Sequence, residues 1–185
     1  STIKISILFS NNSNAKVLER AKLNYIPTVL FNKTELKNGK VLKELNSQKI
    51  SFIILAGFLL KIPNEIINYY SNKIINIHPS LLPLYGGKGM YGKYVHQKVF
   101  EAKDKESGIT IHFVNKTYDS GGIIFQAKCP LPRNAKIKTI TTKTVRKIKF
   151  FLSSTATIIS LDSSEITRYP KFSPLIFTFL IVETI

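Results

Sequence analysis

The run Ser51–Leu55, closed by Ala56-Gly57, constrains the fold of this chain more than any other stretch. A strand with one face in water alternates apolar and polar side chains, but Phe52, Ile53, Ile54 and Leu55 follow one another without a polar position. A strand of this kind is buried on both faces and needs helices above and below its sheet. The flanking sequence supplies them. Ile3, Ile5, Ile7 and Phe9 alternate with polar residues as a half-buried strand ending at a Ser10–Asn14 turn. Asn14 is expected to cap a helix with Val17, Leu18, Ala21 and Leu23 on its apolar side. Thr28–Phe31 reads as a short strand and Leu36–Leu45 as an amphipathic helix. Pro63 opens a helix to about Tyr70, where its missing N–H costs little. Lys73–Ile77, Ile109–Val114 and Ile123–Cys129 read as strands, and Tyr94–Ala102 as a helix. The expected fold is α/β, a wound and mostly parallel sheet with its ligand site at the C-terminal ends of the strands.

Length and composition fit one domain with an appendage. All nine glycines of the 185 residues precede residue 123, and the Ser/Thr-rich stretch from 132 onward has weak periodicity. The expected organisation is an α/β domain over 1–131 and a C-terminal tail of unclear structure over 132–185. The single cysteine, Cys129, excludes an internal disulfide and a cysteine-based zinc site. The longest apolar run, Pro174–Val182, is shorter than the roughly 20 residues of a spanning helix. No signal-peptide pattern opens the chain, so a soluble cytoplasmic protein without a membrane partner is expected. The net charge of +16 comes mostly from dispersed lysines, which argues against a nucleic-acid patch.

The chemistry gathers after Lys73–Ile77, in Asn76-Ile77-His78-Pro79-Ser80-Leu81-Leu82-Pro83. Side chains two apart in an extended chain share a face, so Asn76 and His78 project together at a strand end. An imidazole exchanges protons near neutral pH, and an amide N–H can stabilise a developing oxyanion. Asp119, in the turn Tyr118-Asp119-Ser120-Gly121-Gly122, is an acid that could orient His78 and favour its charged form.

These residues resemble the signature of the folate-dependent formyltransferases, in particular the phosphoribosylglycinamide formyltransferases of purine synthesis. Flanking stretches agree in order: Leu18-Glu19-Arg20-Ala21, Leu55-Ala56-Gly57-Phe58, Gly108–Val114, and Asp119-Ser120-Gly121-Gly122 with Phe125-Gln126-Ala127-Lys128. The likeness covers about residues 6–131 and implies a Rossmann-like sheet. It implies formyl transfer from 10-formyltetrahydrofolate to the amine of glycinamide ribonucleotide, without a metal. By resemblance Asn76, His78 and Asp119 are catalytic. The reduced folate falls on Leu59, Leu60, Lys61 and Ile62, on Asn76, and on Asn115, Lys116, Thr117, Tyr118 and Asp119. Gly57 and Pro79 fall on the substrate side.

Two departures set further expectations. Ser10-Asn11-Asn12-Ser13-Asn14 lacks the glycines of the family's phosphate loop, and Leu18-Glu19-Arg20-Ala21 matches the second strand and helix. An N-terminally truncated sheet is therefore expected, with an inner strand missing, edges exposed and ribonucleotide phosphate held poorly. The tail departs after Leu131, as a frameshifted or otherwise non-homologous end would. Thr139–Phe151, with Lys149 near the position of a substrate-contacting Glu, or Glu165 with Tyr169-Pro170, are the two candidates for the family's last helix. Rival readings are a methionyl-tRNA formyltransferase, a formyltetrahydrofolate hydrolase relative, and an inactive remnant that binds at most folate. His78-Pro79 and the short tail oppose the first of these.

Overall fold

The computed structural model of the chain describes residues 4–153 and 178–182. Among them, seven strands form one sheet in the spatial order β2-β1-β7-β3-β4-β5-β6. In chain order the elements are β1 (Lys4–Ser10), α1 (Lys16–Leu23), β2 (Thr28–Leu30), α2 (Lys33–Lys37), α3 (Lys40–Ser47), β3 (Phe52–Ala56), α4 (Asn64–Tyr69), β4 (Ile74–His78), α5 (Gly92–Glu101), β5 (Glu106–Phe113), β6 (Ile123–Pro130), α6 (Ile137–Ser153) and β7 (Thr178–Val182). The pairings from β2 across to β4 are parallel, whereas β5 runs antiparallel to both β4 and β6. The sheet is mostly parallel, as the sequence leads one to expect.

The apolar run over Phe52–Ala56 does what its composition demands. Every residue of β3 is buried, and successive side chains serve opposite layers. Ile53 and Leu55 pack with Phe9, Leu36, Leu45, Ile66 and Tyr70 on one face. Phe52, Ile54 and Ala56 pack with Ile77 and Ile111 on the other. Each buried Ile, Leu or Phe among them contributes roughly 1.5–3 kcal/mol, which makes β3 the anchor of the two layers.

Local chemistry shifts several boundaries. Ala15, buried against Leu8 and Val17, takes the N-cap of α1 without a side-chain cap. Asn14 instead donates its backbone N–H to Asn12 Oδ1 at 2.9 Å. Leu23, expected on the apolar face, is 78% exposed. The single helix expected over Leu36–Leu45 is two helices, because Gly39 adopts a left-handed φ of 84° between them. Asn32 and Glu35 close a reciprocal capping box at the start of α2.

The expectation of exposed inner edges is overturned. β7 lies between β1 and β3, parallel to both, with Leu180 in register with Ile7 and with Ile53. The unpaired backbone groups of β1 and β3 need partners, and the apolar end of the tail provides them. Farther upstream in the tail, α6 contains Thr139–Phe151, hence Lys149, and packs on α5, β5 and β6. Glu165 and Tyr169-Pro170 lie outside the described residues. No helix among the described residues is long and apolar enough to cross a membrane.

Candidate active site

Asn76 and His78 stand at the C-terminal end of β4, where β5 runs beside them with Asn76 opposite His112 and His78 opposite Thr110. The antiparallel register and the two-residue period bring four polar side chains, Asn76, His78, Thr110 and His112, to one face. Asn76 Nδ2 lies 3.2 Å from His112 Nε2. His112 Nδ1 donates to the Phe113 carbonyl at 2.8 Å, so its Nε2 in the neutral ring is the acceptor for the Asn76 amide. An amide nitrogen carries two hydrogens, and His112 takes one.

Asp119 comes from the connection between β5 and β6, at a φ of 51° that Asp tolerates better than bulky residues. Its Oδ1 lies 3.6 Å from His78 Nδ1 and 3.5 Å from His112 Nε2. Its Oδ2 accepts the Gly87 N–H at 2.8 Å. His78 Nε2 donates to the Tyr85 carbonyl at 2.8 Å. One tight segment, Tyr85–Gly87, therefore grips the imidazole at one end and the carboxylate at the other. Gly86 lets it approach so closely, since a Cβ there would meet Leu82 Cδ2 at 2.6 Å and Asp119 Cβ at 3.2 Å. Tyr85 itself sits at φ 55°, a region that costs a bulky residue about 1–3 kcal/mol.

Burial sets the electrostatics. It pushes the His78 imidazole below its ordinary range; the Asp119 charge and the Tyr85 carbonyl pull back without cancelling it, and His112 adds to the lowering. Burial alone raises the Asp119 carboxyl, but His112, the His78 charge and the Gly87 N–H outweigh it and hold the acid below the usual range. His96 is pushed down by burial and then by His78. Protonation of His78 thus creates an ion pair with a carboxylate already ionised beside it.

A cavity of about 70 Å³ opens beside these groups, with Asn76, Asp119 and His112 in its wall. Leu60, Lys61 and Ile62 line one side, and Asn115, Lys116, Thr117 and Tyr118 the other. Lys61 Nζ reaches over the Tyr118 ring, 5.9 Å from its centroid, and bridges the two sides. The geometry thus brings together the residues expected at the folate except Leu59, which is 38% exposed and lies off the cavity. Gly57, at φ 68° just after β3, and half-buried Pro79 also lie off it. His78 does not share the open cleft as expected from the strand period. It is 3% exposed, beneath Tyr85 and Asp119, and lines no part of the cavity.

His112 is the site residue that the motif reading passed over. All three histidines of the sequence are buried, and the two on β4 and β5 meet at Asp119. An antiparallel placement of Ile109–Val114 beside Asn76 would have revealed it. The Ser10–Asn14 turn is satisfied internally: Asn12 N–H donates to Ser10 Oγ and Ala15 N–H to the Asn12 carbonyl. Cys129 is buried, and burial pushes its thiol up, away from nucleophilic use. Among the described residues no group of three His, Cys, Asp or Glu is placed to hold a metal ion.

Residues 1–154 match the family described as formyl transferase. The chain is 39% identical to the chloroplastic phosphoribosylglycinamide formyltransferase of Arabidopsis thaliana over 129 residues, which are 66% of this chain and 44% of that one. It is 36% identical to the phosphoribosylglycinamide formyltransferase of Haemophilus influenzae over 146 residues, 76% of this chain and 66% of the relative. The chain spans less than half the length of the plant relatives it matches. The crystal structure of phosphoribosylglycinamide formyltransferase from Bacillus halodurans superposes with a TM-score of 0.69 at 30% identity, covering 77% of this chain and 74% of that one.

Proposed function

The chain belongs to the formyl transferase family, and we propose that it transfers the formyl group of 10-formyltetrahydrofolate to the amine of glycinamide ribonucleotide. The observation that carries this reading is the trio Asn76, His112 and Asp119 in the wall of a cleft lined by the 60–62 and 115–118 stretches, with His78 buried behind Asp119. The cleft suits a flat, partly apolar heterocycle, with the exposed Lys61 and Lys116 in its wall for an anionic tail.

The amine nitrogen attacks the formyl carbon, and the carbonyl π electrons move onto oxygen. The Asn76 N–H not used by His112 donates to that oxyanion, with the His78 imidazolium behind as the compensating positive charge. Asp119, ionised and lining the cleft, receives the proton released by the amine through a water. As the tetrahedral intermediate collapses, the bond from carbon to the folate N10 breaks, and that nitrogen takes up the proton held at Asp119, returned through the same water. Asn76 donates directly to the reacting oxygen, Asp119 acts through the water, and His78 acts from one layer deeper. Gly57 and Pro79 are assigned to the ribonucleotide side on resemblance.

Incubating the 185-residue chain with 10-formyltetrahydrofolate and glycinamide ribonucleotide tests the reading, with release of tetrahydrofolate followed spectroscopically. Turnover that needs both substrates is expected. Calorimetry with each ligand alone separates the half-sites. Folate binding without turnover would replace the transferase reading with a folate-binding remnant, and no folate binding would remove the cleft assignment.

A further inference from the structure

The role of the Tyr85 side chain is not explained by the cleft. Its carbonyl reaches His78 from one side, and its hydroxyl donates to Asp104 Oδ2 at 2.7 Å on the other. Asp104 lies between α5 and β5, outside the cleft. We infer that Tyr85 is a positioning residue for His78: tied to Asp104 through its hydroxyl, it holds the imidazole Nε2–H with its carbonyl and so fixes Nδ1 as the nitrogen facing Asp119.

Three observations converge on this. A bulky residue at φ 55° holds that conformation only when the surroundings over-determine it, and the Asp104 bond is such a restraint. Packing alone does not lock the ring, because a cavity of about 230 Å³ adjoins it, lined also by Leu84, Val99 and Ser107. The same segment carries the Gly87 N–H bonded to Asp119, so its displacement would loosen the carboxylate and the imidazole together. Burial and the neighbouring Asp104 push the Tyr85 phenol up to about 12, so it stays a donor at any working pH. Only the Tyr85 carbonyl draws the proton of the neutral ring to Nε2; with that acceptor displaced, the ring is better satisfied by donating Nδ1–H to the Asp119 carboxylate, and the other tautomer takes over.

The test rests on the transferase reading only for its kinetic half. Labelling the three histidines with nitrogen-15 gives imidazole spectra that report tautomer and titration directly, with His78 assigned by its loss in His78→Gln. The groups facing it are Asp119, His112 and His96, all unchanged in the variants used. The native chain is expected to show the Nε2–H tautomer for His78. Tyr85→Phe should bring in the other tautomer and lower kcat by roughly ten- to hundredfold, the worth of one hydrogen bond to a charged group, with KM for both substrates little changed. Asp104→Ala should copy it, and Asp104→Asn, which keeps an acceptor oxygen, should restore most of the native behaviour. Asp104→Ala removes only a half-exposed side chain, so it decides the matter should Tyr85→Phe fail to fold. An unchanged His78 tautomer and titration in the folded variants would overturn the inference whatever their activity. A native chain that shows the tautomer response but no formyl transfer would overturn the transferase reading and leave this one standing.

Discussion

Replacing Asp119 by Asn removes one charge while keeping an oxygen that can still accept the Gly87 N–H, so the loop has reason to stay in place. What is lost is the proton acceptor for the amine and, with it, the attraction between the carboxylate and the His78 imidazolium across 3.6 Å, which alone sets a minimum effect. Two unit charges at that separation interact by about 5 kcal/mol at an effective dielectric of about 20, and by about 1 kcal/mol in bulk water. The two side chains are 4% and 11% exposed, which puts the pair nearer the buried limit. A loss of about 3 kcal/mol corresponds to a rate on the order of 100-fold lower if the imidazolium is the active form.

The direction with pH follows from the same charges. Burial holds His78 below its ordinary value of 6.5, and Asp119 is the strongest influence acting against that lowering. Removing the carboxylate pushes His78 lower still. The fall in kcat with rising pH therefore begins at a lower pH in the variant, and the nitrogen-15 titration of His78 moves the same way. A kcat at neutral pH within about twofold of the native value, or a His78 titration displaced upward, would refute the assignment of Asp119 as the charge partner of His78.

Two further outcomes follow from burial and close contact. Stability should fall on acidification, because His78 and His96 are both lowered from 6.5: the folded chain resists protons that the unfolded chain accepts, so stability is full above about 6.5 and erodes below it. Asp119, lowered from 3.8, adds a loss at more acidic pH, and a melting temperature that rises from about pH 7.5 to about pH 5 would contradict both histidine assignments. Gly121→Ala should destabilise the fold by more than about 2 kcal/mol and displace Asp119, because a Cβ there runs into the Phe113 carbonyl. Urea unfolding with an unchanged midpoint would show that the loop has room that the structure denies it.

The sheet was legible where side chains alone settle burial. The unbroken apolar run of β3 and the Gly/Pro punctuation around β4 each have one structural reading, whereas β1 is not the half-buried strand expected: Leu8 and Ser10 are as buried as Ile7 and Phe9, because α1 covers their face. Asn76, His78 and Asp119 could be singled out because their motif and strand-end setting coincide. What stayed hidden depends on partners distant in sequence. The burial of His78 comes from Tyr85 and Asp119 folding over it, which no local period encodes. The role of His112 needs the antiparallel register that sets it opposite Asn76. Gly39 splitting a helix was written in the sequence, but a continuous amphipathic pattern concealed it.

The strand that closes the sheet also sets an order of events. Among the described strands, β2-β1 and β3-β4-β5-β6 are joined by β7 alone, and β7 pairs Thr178 with Lys4. On a ribosome this inner strand of the sheet is therefore made after the other six described, and its two neighbours emerge long before it. Until then their facing edges stay open, and contacts so far apart along the chain form slowly. A half-made chain is consequently most vulnerable to pairing with another copy at the gap between β1 and β3, which the finished sheet fills.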